Sequence, residues 1–184
     1  MELNDFYKDL YDETMASLQK DLLFKSRVHG QGHIERVLDL GAHIAQNESL
    51  DTLETKMLLL CCSYHDIGRH SDWYDPVHGS SSAKKIKEGF IKNQFDNFND
   101  DDMAIMLAAI SAHSDHDSKI GEYETSYNIS NHDRFMRIVT CLKDADNLDR
   151  VRINKLDPSY LRHEKSREMV PYAWELYRNY VQTP

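Results

Sequence analysis

Met57-Leu58-Leu59-Leu60-Cys61-Cys62-Ser63-Tyr64-His65-Asp66 decides how this chain is read. An unbroken apolar run that ends in a histidine and an aspartate reads as a buried helix with polar groups at its tip. His65 lies four residues after Cys61 and seven after Leu58, so it shares their face, and Asp66 lies four after Cys62. A second segment repeats the arrangement. Phe135, Ile138, Val139 and Leu142 form an apolar stripe, and Asp146 falls on it. Charged groups rarely face a core unpaired, so a histidine and two carboxylates turned inward point to a metal ion as their common partner.

The dipeptide itself is a weak signal. With 10 histidines in an acidic chain, chance gives about one His-Asp pair. His116–Asp117 sits in a polar stretch. His132–Asp133 opens a helix, where the dipole favours Asp133. Only His65–Asp66 follows a long apolar helix, and Ile67-Gly68 after it reads as a helix stop.

Few glycines and prolines (seven and four) and no sustained alternation predict an all-α fold. Helices are expected over about 2–24, 32–47, 52–66, from the serines at 80–82 onward, 101–113, 132–149 and from Asp157 to about 180. Loops are expected at 67–77 and 114–131. The chain reads as one domain over 1–184. The net charge of −9 argues against nucleic-acid polymers and acidic membrane surfaces as partners. No run has the length of a membrane span, and the first residues lack signal-peptide character. Cys61, Cys62 and Cys141 have no zinc or disulfide spacing and read as core residues of a reduced, cytoplasmic protein.

Other polar residues sort by position. His33 faces inward near the start of the second helix, and His113 ends an apolar face begun at Met106 and Ile110. His78 precedes a helix. Imidazole suits Zn, Fe, Mn and Ni, and carboxylate suits Mg and Mn, so a mixed set can hold a divalent ion. Asp144 points about 160° from Asp146 and is expected in solvent, whereas Asp149 shares Asp146's face as an acceptor for a ligating histidine. His70, His116, His132 and His163 read as surface residues. Tyr172, Trp174, Tyr177 and Tyr180 read as packing.

In this order the residues resemble the HD-domain superfamily of metal-dependent phosphohydrolases. His29-Gly30-Gln31-Gly32-His33-Ile34-Glu35-Arg36-Val37 resembles its first histidine helix. His65-Asp66-Ile67-Gly68-Arg69 resembles its central motif, and Lys143-Asp144-Ala145-Asp146-Asn147-Leu148-Asp149 its closing motif. The resemblance covers about residues 27–152. It implies an HD-domain helical bundle in which His33, His65, Asp66 and Asp146 bind one divalent ion (Mn, Mg, Fe, Ni or Zn). His78 and His113 stand where a second ion would need them. It also implies hydrolysis of a small phosphorylated substrate, a nucleotide or another phosphate ester, with Asp66 catalytic. Arg69 is the first choice for a catalytic phosphate contact. Arg36 and His113 are further substrate contacts, and Lys143, Arg150 and Arg152 are weaker candidates, each expected on the surface otherwise.

The chain lacks the His-Asp-x-x-Glu-Asp of guanosine tetraphosphate hydrolases and the Gly-Tyr-Pro of cyclic-di-GMP phosphodiesterases. The nearest likeness is to small stand-alone bacterial HD hydrolases. The resemblance implies two alternatives as well: a mixed-valent di-iron oxygenase, and a non-catalytic nucleotide-binding HD module. The intact ligand set speaks against the second.

Overall fold

The computed structural model describes residues 1–95 and 97–182, and among these it contains nine α-helices and no strand. They are α1 (Asp5–Ser17), α2 (Gln31–Asn47), α3 (Thr52–Tyr64), α4 (His78–Lys87), α5 (Asp100–Ala112), α6 (Ile120–Ser126), α7 (His132–Leu148), α8 (Glu164–Glu168) and α9 (Val170–Gln182). The all-α expectation holds. None of the described helices is long and apolar enough to cross a membrane.

Side-chain caps start several helices. Asn4, Asn99 and Asn131 accept backbone N–H groups at the heads of α1, α5 and α7, and Asp51 and Glu54 form a reciprocal capping box on α3. Two helices are buried nearly all round: α3 over Met57–Tyr64 and α5 over Ile105–Ala112. A helix without a polar face has to sit inside. The amphipathic α2 and α7 pack against α3, α7 and α4 also pack against α5, and α1 covers α2 and α3. Cys61, Cys62 and Cys141 are buried and unpaired, as a core role requires.

Several boundaries differ from expectation. The first helix stops at Ser17, and Leu18 turns extended so that Leu18 and Leu23 reach the core. α4 begins at His78, two residues before the serines. They do not cap it; Ser82 instead lies within the helix, donates to the His78 carbonyl and accepts from Gly68 N–H. Gly68 is therefore not a left-handed stop but a point of close approach: a Cβ there would lie 2.2 Å from Ser82 N. The stretch 114–131 contains α6, anchored by buried Ile120, which its polar composition conceals. The last segment is split. α8 ends at Glu168, and α9 starts with Pro171 in its first turn, where a proline opens a helix but cannot continue one.

Candidate metal centre

Five helices deliver six donor groups to one place. His33 lies in the first turn of α2, His65 and Asp66 at the end of α3, His78 at the head of α4, His113 just past α5, and Asp146 near the end of α7. Five of the six are 5% exposed or less, and Asp146 is partly exposed. α4 and α5 come close enough to join His78 and His113 because Gly79 has no side chain: a Cβ there would sit 2.7 Å from Ile110 O.

The donor atoms form two groups that share one carboxylate. His33 Nε2 lies 3.2 Å from His65 Nε2, 3.6 Å from Asp66 Oδ2 and 3.5 Å from Asp146 Oδ1. His65 Nε2 lies 4.0 Å and 3.9 Å from the same two oxygens. On the other side, Asp66 Oδ1 lies 3.2 Å from His78 Nε2 and 3.7 Å from His113 Nε2, which are 3.0 Å apart. An ion with bonds of about 2.0–2.3 Å spaces neighbouring ligands by about 3–3.7 Å, so both groups are near coordination size. Asp66 Oδ1 is buried with no hydrogen-bond partner among the described residues, a cost that a cation would remove.

Each of the four histidines is held from behind. His33 Nδ1 meets Asp149 Oδ2 at 2.8 Å. His65, His78 and His113 place Nδ1 on the carbonyls of Cys62, Asp75 and Ile110 at 2.9, 2.5 and 2.7 Å. A carbonyl only accepts, so in these three Nδ1 carries the proton and Nε2 presents its lone pair to the centre. Burial lowers the basicity of His33 and His65 and brings His78 to about 4, which keeps the rings neutral. Burial alone would raise Asp66 and Asp146, but positive charge beside them, from His65 whenever it takes up a proton and for Asp146 also from Arg152, holds both carboxyls below their ordinary range. Four imidazoles and two carboxylates are a donor set that fits divalent ions.

The centre opens into a cleft of about 740 Å³, lined by Arg69, Trp73, Tyr74, Arg150, Tyr160 and Asp146 among others. Arg69 donates through Nε to Asp66 Oδ2 at 2.8 Å, so it stands beside the centre as expected. Arg150 is exposed in the cleft and makes no ion pair with any described carboxylate; Nε donates to the Lys155 carbonyl at 3.3 Å. Trp73 and Tyr74 are 84% and 91% exposed and present free rings to the cleft.

Five expectations are corrected. Arg36 does not line this cleft. It is 5% exposed and binds Asp149 through Nε and Nη2, because Asp149 stands between it and the centre. Arg152 is likewise turned onto Asp149, 3.3 Å away, and is partly buried. Lys143 is not on the surface. Its Nζ is buried and donates to the carbonyls of Ala112, His113 and Asp115. Asp144 points away from Asp146 as expected, yet into protein: it accepts from the backbone N–H groups of Arg162 and His163 and from both side chains. His163 is thereby half-buried, whereas His70, His116 and His132 are exposed. The exposed rings at Trp73, Tyr74 and Tyr160 went unassigned in the sequence; the aromatic pair after the central motif, in a segment free of apolar periodicity, was the available signal.

Comparison with family models, with curated proteins and with solved structures gave no match.

Proposed function

We propose that the chain is a metal-dependent phosphohydrolase of the HD-domain type, acting on a nucleotide or another small phosphate ester. The observation that carries the reading is Asp66, whose two oxygens face two separate histidine pairs beneath an arginine-bearing cleft. His33, His65 and Asp66 would hold one ion, with Asp146 beside them 3.5 Å from His33 Nε2, and Asp66, His78 and His113 would hold a second. Bound divalent ions lower the pKa of water and polarise a phosphoryl oxygen. The protein's own part is placement and charge. Neutral imidazoles leave the positive charge of the site to the ions and the arginines. Arg150, free of the described carboxylates, and Arg69, beside Asp66, would neutralise phosphate oxygens. The exposed rings of Trp73 and Tyr74 and the ring of Tyr160 offer faces to a base.

The test is phosphate release from nucleotides and sugar phosphates with added Mn, Mg, Fe, Ni or Zn. Release should require the metal, stop with a chelator, and be lost in Asp66→Ala with unchanged circular dichroism. Activity that survives in a folded Asp66→Ala would overturn the reading. The same six donors also suit two irons, so oxygen consumption by iron-loaded protein with no ester hydrolysed would favour the oxygenase reading instead.

A further inference from the structure

Behind Asp149, on the side away from the cleft, lies a second pocket of about 290 Å³. It shares no lining residue with the cleft. Its lining includes exposed Arg27, Arg36 and Arg152, and the rings of Tyr177 and Tyr180. The Arg36 guanidinium lies 5.3 Å and 5.1 Å from the centres of those two rings. Its Nε and Nη2 are spent on Asp149, and Nη1 is not. Arg152 spends Nε on the Val28 carbonyl and Nη1 on Asp149, leaving Nη2.

The charges do not balance. Two guanidiniums, that of buried Arg36 and that of partly buried Arg152, face one carboxylate, and that carboxylate is also engaged by His33. The next carboxylate, Glu35, is occupied by Lys20, Gln31 and Tyr180. Arg27 is exposed and ion-paired with none of the described residues. A chain of net charge −9 thus gathers three arginines around one small hollow, with Asp149 the one carboxylate bonded to them among the described residues, and positive charge so crowded favours an anion. The hollow exists partly because Gly32 faces it: a Cβ there would lie 2.8 Å from Tyr180 Cε1 and 3.4 Å from Arg36 Nη1.

We propose that this pocket binds a small oxyanion of the phosphate class, held by Arg27 and by the unspent nitrogens of Arg36 and Arg152. Guanidinium forks match tetrahedral oxyanions in geometry and charge. The site goes beyond the hydrolase reading and does not rest on it. It is nevertheless wired to the metal centre: both arginines hold Asp149, and Asp149 holds His33. Occupancy on one side changes the charge available to the other, and such coupling is reciprocal.

Calorimetric titration of inorganic phosphate into the 184-residue chain tests the assignment. A metal centre would also attract phosphate, so Asp66→Ala is titrated beside the wild type. Binding should persist in Asp66→Ala. In that background Arg27→Gln and Gly32→Ala should each weaken it at least about tenfold, a loss of about 1.4 kcal/mol. Alanine favours a helix more than glycine does, and Arg27 is exposed, so both variants should fold. Loss of all phosphate binding in Asp66→Ala would overturn the proposal, as would unchanged binding in Arg27→Gln and Gly32→Ala. A parallel titration with a nucleoside monophosphate separates free phosphate from a phosphate group on a larger molecule, by which of the two binds more tightly.

Discussion

Asp149 carries more of the centre than its distance from the donors suggests. It accepts from His33 Nδ1, fixing which nitrogen faces the centre, and it is fixed in turn by Arg36 and Arg152. Outer groups of this kind typically govern metal affinity by about 10–100-fold. Asp149→Asn should lower metal affinity by about that factor, measured by competition with a chromogenic chelator; an unchanged affinity would show that His33 needs no such support. Single residues were also where the sequence was most legible. Helical spacing turns His33, His65, Asp66 and Asp146 inward, and their donor atoms do converge. Arg36 shows the limit. Its spacing from His33 puts it on the same face, but periodicity does not reveal that Asp149 intercepts it. His78 and His113 needed the close approach of α4 and α5 at Gly79, which depends on how two successive helices pack and not on the periodicity of either. His78→Ala and His113→Ala should each reduce bound metal from about two ions per chain towards one, measured by elemental analysis, if Asp66 is shared as its two oxygens indicate.

At the scale of the element, α7 projects three neighbouring charges in three directions. Lys143 clamps the C-terminal carbonyls of α5, Asp144 clamps the chain entering α8, and Asp146 enters the centre. Steps of about 100° per residue separate these directions, but periodicity could not say that all three ended in protein. Lys143→Met removes the donor from carbonyls at a helix end and should cost about 1–3 kcal/mol. Because His113 follows that end, bound metal should fall first at the His78–His113 side, leaving about one ion. The Asp144–His163 pair adds a pH dependence. The hydrogen bond to Asp144 raises the basicity of His163 above its ordinary value, and burial opposes it only partly. A raised folded pKa stabilises fully below about 6.5, the unfolded value, and the gain is lost as pH climbs through the folded value. The stability gap between wild type and His163→Gln in urea should therefore be widest near pH 6 and narrow above pH 8. It should not close, since neutral imidazole still donates to Asp144. A gap that widens with pH would refute the pairing.

Across the whole molecule, the all-α class followed from apolar runs that only helices accommodate, whereas the turn chemistry did not. The break at Ser17 and the split before Pro171 arise where the chain must bend to bury Leu18, Leu161 and Met169, a demand set by the packed body and not by local propensity. The six donors belong to α2, α3, α4, α5 and α7 or their ends, which are the helices that enclose the core. Without an ion the body must hold two carboxylates and four imidazoles together at 3–4 Å by packing and by the hydrogen bonds behind them. With one, these groups become mutually attracted through the metal, and the unfolded chain has no such site. Binding to the folded state alone adds about 2.7 kcal/mol when free metal is a hundred times its dissociation constant. For a chain of this size that corresponds to a rise in Tm of about 5–11 °C. Differential scanning calorimetry with and without chelator should show this rise. It should vanish in Asp66→Ala, the residue common to both donor groups, and shrink without vanishing in His113→Ala. A chelator-insensitive Tm in the wild type would mean that the six groups are held by packing and hydrogen bonds alone and that no ion ties the five helices together.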